Sequence, residues 1–191
     1  MNTQIWWYVA RSTGIVAWSL LTLSMTWGLL LRTKLLNRRP TPRWMLDLHR
    51  FLGGLAVVFV GLHLVGLVAD SYTHFGPTDL LVPFASSWRP AAVALGVVAF
   101  YLLAAVEVTS LLMRRLPRRW WRAVHMSSFA TFVLTTLHAV TAGTDIRNSV
   151  LTLAINAGVA TVLFLTLVRV LAPGRARERA GGPRRAATAA E

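Results

Sequence analysis

Histidine is the residue type in this chain best suited to chemistry, because a neutral imidazole can bind a metal or carry a proton. The chain has five histidines and no cysteine. Disulfides, thiolate metal sites and cysteine nucleophiles are therefore excluded. Four of the histidines lie in long apolar stretches, where ionisable side chains are costly and usually mark function. They form two pairs, with His49 and His63 14 positions apart and His125 and His138 13 positions apart.

The composition indicates that the apolar stretches cross a membrane. Of 191 residues, 55% are hydrophobic and only 14% are charged, whereas soluble domains carry about 25% charged residues. This excludes an ordinary soluble enzyme and argues against a disordered basic protein. Each of five stretches is long enough to cross a hydrocarbon core of about 30 Å as a helix. They lie at 7–31, 48–69, 90–112, 123–142 and 149–171.

We therefore predict an all-α integral membrane bundle of five transmembrane helices over residues 1–171, followed by a disordered Arg-rich tail at 172–191. The first stretch is too long for a signal-peptide core and lacks a preceding basic segment, so we expect it to be a retained helix.

The basic residues set the predicted orientation of this bundle. The net charge is +13, with 20 Lys and Arg. All but three of these lie in the first and third connections, residues 32–50 and 113–122, or near the end of the chain; the exceptions are Arg11, Arg89 and Arg147. The positive-inside rule then places the N-terminus outside and the C-terminus in the cytoplasm. We expect the Arg clusters to contact anionic membrane lipid, with docking of a partner protein as the alternative, and no nucleic acid.

This topology places the histidines at matched depths. The second and fourth spans both run outward, so His49 and His125 lie near the inner surface, and His63 and His138 near the outer one. At 1.5 Å per residue, about 20 Å separates the two layers. Two imidazoles at one depth can clamp a flat metal macrocycle, and histidine is a common axial ligand of haem iron. The alternatives are helix-packing histidines and a transition-metal pathway, which the lack of cysteine and the wide gap disfavour.

The 13-position spacing requires an irregularity in the fourth span. At about 100° per residue, His49 and His63 lie about 40° apart around their helix, but His125 and His138 about 140° apart. We expect either a distortion of this span or two rings that reach around the helix from different sides. Ser127 and Ser128 could support a bend by hydrogen bonding to the preceding turn.

Charged residues near each layer are further candidates for the site. Arg50 and Arg122 flank the inner layer and Arg11 the outer one, where they could bind haem propionates; snorkelling to lipid headgroups is the alternative. Glu107, towards the inner end of the third span, is expected to pair with an Arg, with proton or quinone chemistry as the alternative.

The outer connection, residues 70–89, is the longest between spans. It is a candidate lid over the outer layer or a docking surface for an electron acceptor, and a plain solvated loop is the alternative. His74 within it could handle protons or touch an acceptor, although an ordinary exposed histidine is the simpler interpretation.

The histidine pairs resemble those of the ferric reductase-like transmembrane domain, found in NADPH oxidases, iron reductases and the haem subunit of methionine sulfoxide reductase. The match rests on both spacings and on the segment 48–53, LHRFLG, and it extends over roughly 10–171. It implies two haem b groups, with His49 and His125 on the inner iron and His63 and His138 on the outer iron. It also implies a bacterial inner or plasma membrane.

Two departures from the family affect the expected function. Many members have six spans, and the oxidases and iron reductases carry a flavin and nicotinamide domain after the last span. Here five spans are followed by a short tail, and no G-x-G-x-x-G is present.

We therefore expect an electron-transfer subunit without its own flavin site. It would pass electrons from a cytoplasmic flavoprotein or a quinol to an extracytoplasmic redox acceptor. The rivals are a quinone-linked cytochrome b subunit of a larger dehydrogenase and a non-redox transition-metal transporter.

Overall fold

The computed structural model describes residues 4–33, 42–71, 75–144 and 148–171. Within these ranges the chain is helical, with seven helices and no strand. The helices are α1 (Gln4–Thr33), α2 (Arg43–Ala69), α3 (Pro77–Leu81), α4 (Pro90–Leu111), α5 (Arg118–Met126), α6 (Ser128–Ala142) and α7 (Ser149–Leu171).

Five segments of the described chain are long and apolar enough to cross a membrane: α1, α2, α4, α7 and the combined segment Arg118–Ala142 formed by α5 and α6. The predicted five-helix membrane bundle is therefore confirmed. Three of these segments begin three to five residues before the predicted span, because a helix continues past the hydrocarbon core into the polar interface, where hydropathy no longer marks it. The predicted tail, 172–191, lies outside the described residues.

The fourth span is irregular at Ser127, between α5 and α6. The Ser127 N–H bonds to the Val124 carbonyl at 2.9 Å, and its hydroxyl donates to the same carbonyl at 2.7 Å. A turn of this tighter type advances about 120° per residue. A turn of this type between the two histidines reduces the angle expected between His125 and His138 below about 140°. The predicted distortion is confirmed; Ser127 supports it, and Ser128 begins α6.

Helix α1 is the element against which much of the bundle packs. It runs along α2 and also contacts α6 and α7, while α4 packs mainly on α6. Gly66 of α2 allows the close approach of α1, since a Cβ there would lie 2.8 Å from the Ala10 backbone nitrogen. A small apolar core of Leu29, Phe132, Val162 and Leu165 joins α1, α6 and α7.

The outward faces of the helices are apolar. Large hydrophobic side chains such as Leu111, Val150 and Leu171 are about four-fifths exposed, at 81%, 77% and 79%. In a soluble protein an apolar surface of this extent would be a liability. On a multi-pass membrane protein it is the surface that contacts lipid hydrocarbon.

Candidate functional site

The inner pair of histidines meets across the bundle. His49 of α2 and His125 of α5 have ring centroids 6.1 Å apart with their planes at 81°. An imidazole nitrogen binds a metal at about 2 Å, so two imidazoles on opposite sides of one metal ion have centroids about 6 Å apart. The inner pair therefore fits the axial ligand set of a single haem iron.

The outer pair lines one cavity. His63 of α2 and His138 of α6 border one cavity of about 270 Å³, at the end of the bundle away from His49 and His125. The rest of the lining is largely apolar and includes Gly14 and Gly96. A flat apolar macrocycle with two axial imidazoles fits these surroundings.

Three of the four rings are held by backbone carbonyls of neighbouring helices. His63 Nδ1 lies 2.6 Å from the Ala10 carbonyl oxygen, and His138 Nδ1 lies 2.7 Å from that of Ala92. His49 Nδ1 lies 3.1 Å from the Ser24 carbonyl oxygen. Since a carbonyl can only accept, Nδ1 donates the proton and Nε2 keeps its lone pair. This is the tautomer that leaves Nε2 free to bind a metal.

A glycine lies against each of the same three rings. A Cβ on Gly14 would lie 3.0 Å from the His63 ring, one on Gly28 3.1 Å from the His49 ring, and one on Gly96 2.7 Å from the His138 ring. At each of these glycines, a side chain would occupy space that the imidazole ring needs.

His125 has different surroundings. Trp121, one turn earlier on α5, stacks on it with ring centroids 5.2 Å apart and planes at 21°. Two buried atoms here, His125 Nδ1 and Trp121 Nε1, have no hydrogen-bond partner among the described residues. Both are potential donors, which an anionic or polar acceptor would satisfy.

The predicted arginines lie in different environments. Arg11 is half-buried, lines the outer cavity and stacks over the Trp7 ring at 4.0 Å. Arg50 is exposed and pairs with Asp47 at 3.5 Å, and Arg122 is exposed as well. The structure thus brings Arg11 to the histidine layer it was predicted to serve, and leaves the two inner arginines at the surface.

Two other arginines lie at the inner layer and were missed by the sequence analysis. Arg32 lies in the last turn of α1, and Arg169 lies in the last turn of α7. The Arg169 guanidinium lies 3.7 Å from the Met126 sulfur and 5.8 Å from the Phe129 ring centroid. Their positions in the last turns of helices predicted to run inward are a sequence signal that could have identified them.

Glu107 of α4 points towards α2. A Cβ on Gly53 would lie 2.5 Å from its Oε1, so the carboxyl group fills the space above that glycine. Gly53 follows His49 by one helical turn along α2. Within the described residues, no basic side chain forms an ion pair with Glu107, so the expected pairing with an arginine stays a prediction.

The outer connection packs over the outer cavity. Its side chains Phe75, Leu80 and Trp88 line that cavity and pack against α4. Tyr101 lies in the middle of α4, and its hydroxyl donates to the Leu81 carbonyl at 2.7 Å. This hydrogen bond holds the end of α3 beside α4. The described part of the connection therefore forms a packed cover, and the predicted role of His74 falls outside the described residues.

The histidines come as pairs. In the ranges that the structure describes, no group of three or more His, Asp or Glu side chains could hold a metal ion. Paired imidazoles from separate helices suit a planar metal complex, which already supplies four equatorial ligands, better than a bare ion that requires four protein ligands.

Comparison with known proteins identifies the family. A family profile described as "Ferric reductase like transmembrane component" matches residues 13–136, more than half of the chain. The match includes His49, His63 and His125 and ends two residues before His138. No curated protein and no solved structure gives a significant match. The chain belongs to the ferric reductase like transmembrane component family and is a membrane electron-transfer component.

Proposed function

We propose that this chain carries electrons across a bacterial plasma membrane through two b-type haems, each held by two histidines. His49 and His125 hold the inner haem, and His63 and His138 the outer one. The electrons come from a cytoplasmic flavoprotein or a membrane quinol and leave to an extracytoplasmic redox acceptor.

The observation that carries this proposal is the close approach of His49 and His125, whose ring centroids are 6.1 Å apart on two separate helices. Bound haem supplies one-electron oxidation and reduction. A haem held between two histidines would have no iron position left for a substrate, so this pair of residues favours electron transfer over substrate binding.

The remaining residues orient and neutralise the cofactors. Arg11 is the candidate for the outer propionates, because it is half-buried in the cavity that His63 and His138 line. Arg50 and Arg122 were the inner candidates, and Arg169 joins them because it lies beside α5 and α6 at the inner layer. The apolar helices exclude water between the two layers.

Single replacements of the four histidines test the pairing. We expect His49→Ala and His125→Ala to remove the same haem, and His63→Ala and His138→Ala the other, as measured by pyridine haemochrome analysis and redox titration of purified protein. His74→Ala, outside the predicted spans, is the control and should keep both haems. His63→Met should retain the outer haem with a raised potential, because methionine is a competent axial ligand.

The proposal fails if any one of the four alanine variants accumulates normally and keeps both haems. It also fails if His49→Ala and His63→Ala remove the same haem, since the two residues belong to different layers.

A further inference from the structure

Three histidine–carbonyl contacts share one local pattern in the helix that supplies the carbonyl. His63 bonds to Ala10 and lies against Gly14. His49 bonds to Ser24 and lies against Gly28. In each case the glycine follows the carbonyl residue by four positions.

The same pattern recurs on a second helix. His138 bonds to the Ala92 carbonyl and lies against Gly96 of α4, again four positions later. The pattern therefore arises three times, on two helices that have no sequence repeat in common.

The geometry of an α-helix explains the pattern. A carbonyl at position n accepts the N–H of residue n+4 and has a second lone pair that faces outward. The side chain at n+4 leans towards the helix N-terminus and covers the turn that holds this lone pair. A glycine at n+4 leaves the carbonyl uncovered, so an imidazole from another helix can reach it.

We propose that Gly14, Gly28 and Gly96 are positioning residues that aim the histidines at their iron atoms. Each glycine uncovers one helix carbonyl, and that carbonyl fixes both the tautomer and the ring plane of a histidine on another helix. This inference rests on the haem ligation proposed above, and it adds residues that do not touch the iron.

Other glycines of the bundle do not share this feature. Gly54 and Gly61 lie on α2 between His49 and His63, yet a Cβ on either would meet nothing within 4 Å. Glycine is therefore not required there by contact, and these two positions provide matched controls on a helix of the same bundle.

The fourth histidine, His125, has no such carbonyl and glycine beside it within the described residues. On α4, the positions one layer inward from Ala92 and Gly96 are Val106 and Ser110, 14 residues further along, where a serine stands in place of the glycine. Ser110 Oγ is buried without a hydrogen-bond partner in the described chain, as is His125 Nδ1. Three ligands are thus fixed by backbone, and His125 is held by stacking on Trp121.

The test is alanine substitution in purified, haem-loaded protein, with three readouts: haem content, midpoint potentials and the electron paramagnetic resonance of the ferric haems. The last depends on the orientation of the axial rings. We expect Gly14→Ala and Gly96→Ala to reduce occupancy of the outer haem at least twofold or shift its resonance, and leave the inner haem unchanged. Gly28→Ala should do the same to the inner haem alone. Gly54→Ala and Gly61→Ala should match the wild type.

Three outcomes would overturn the inference. The first is wild-type occupancy, potentials and resonance in all three test variants, and the second is an equal loss of both haems in each. The third is a loss in Gly54→Ala or Gly61→Ala as large as in Gly96→Ala. Gly28→Ala, with the mildest contact at 3.1 Å, carries the test if Gly96→Ala does not accumulate. A wild-type chain without haem b would instead refute the proposed function itself.

Discussion

At the scale of single residues, the bundle prepares its histidines for metal binding through hydrogen bonds to the backbone. The short contacts of His63 and His138, at 2.6 and 2.7 Å, leave Nε2 as the free nitrogen in each ring. A carbonyl acceptor also raises the basicity of a ligating imidazole. The contact of His49 is longer, at 3.1 Å, and His125 Nδ1 has no partner within the described part of the chain. The inner ligand set is therefore the less firmly anchored of the two.

Arg11 gives a prediction at this scale. A cation beside the outer layer disfavours the ferric haem, which carries one more positive charge than the ferrous form. Arg11→Ala should therefore lower the midpoint potential of the outer haem by roughly tens of millivolts, and Arg11→Lys should restore most of the shift. Redox titration of both haems provides the measurement. A larger effect from Arg50→Ala, an exposed residue paired with Asp47, would contradict the assignment.

The sequence allowed the histidines to be singled out because apolar spans contain few ionisable groups. The residues that hold them could not be chosen in the same way, since glycine and alanine are common in membrane helices. One signal was available: Gly14 and Gly28 are 14 positions apart, like His49 and His63. That equality becomes informative only once α1 is known to lie against α2.

At the scale of helices, the close contact between α1 and α2 brings one α1 carbonyl to each of the two α2 histidines, Ala10 to His63 and Ser24 to His49. Span limits were predictable to within a few residues because length and apolar character define them. Helix pairing was not predictable, because these spans are apolar on most faces and their sequence pattern indicates no preferred neighbour.

Gly66 tests the importance of this helix contact. Gly66→Ala would bring a Cβ within 2.8 Å of the Ala10 backbone nitrogen, and backbone cannot yield as a side chain can. We expect a loss of about 1–3 kcal/mol in stability, a fall of a few degrees in Tm and a weakened outer haem. Thermal unfolding in detergent is the measurement. Gly61→Ala, in open space, is the control, and equal Tm values for the two variants would count against this contact.

The irregular turn in the fourth span gives a second prediction at the scale of helices. Ser127→Ala removes the hydroxyl that bonds to the Val124 carbonyl at 2.7 Å, which allows the span to relax towards a regular helix. The angle between His125 and His138 would then widen, and we expect a severalfold weaker haem affinity. Haem titration of the apoprotein measures it, with Ser128→Ala as the neighbouring control. Identical affinities in the two variants would show that this hydroxyl does not support the ligand geometry.

At the scale of the whole molecule, the uneven distribution of 20 basic residues determines the proposed orientation, and the orientation determines which haem faces the donor. The family match supports membrane electron transfer. The sequence could not indicate how the outer layer is covered, because the cover depends on contacts between distant residues such as Tyr101 and Leu81.

The absence of cysteine from the chain allows a clean test of orientation. Ser87→Cys lies in the outer connection and Arg115→Cys in the inner one, and both positions are exposed. In intact cells, a membrane-impermeant maleimide should label the first variant and label the second only after lysis. The reverse pattern would invert the proposed direction of electron flow.

The most direct test of the central claim is a haem count on the purified protein, combined with a reduced-minus-oxidised spectrum. The account predicts two haem b groups per chain, a b-type α band and two separable midpoint potentials. A folded, purified chain that shows no b-type spectrum, even after reconstitution with haem, would contradict it.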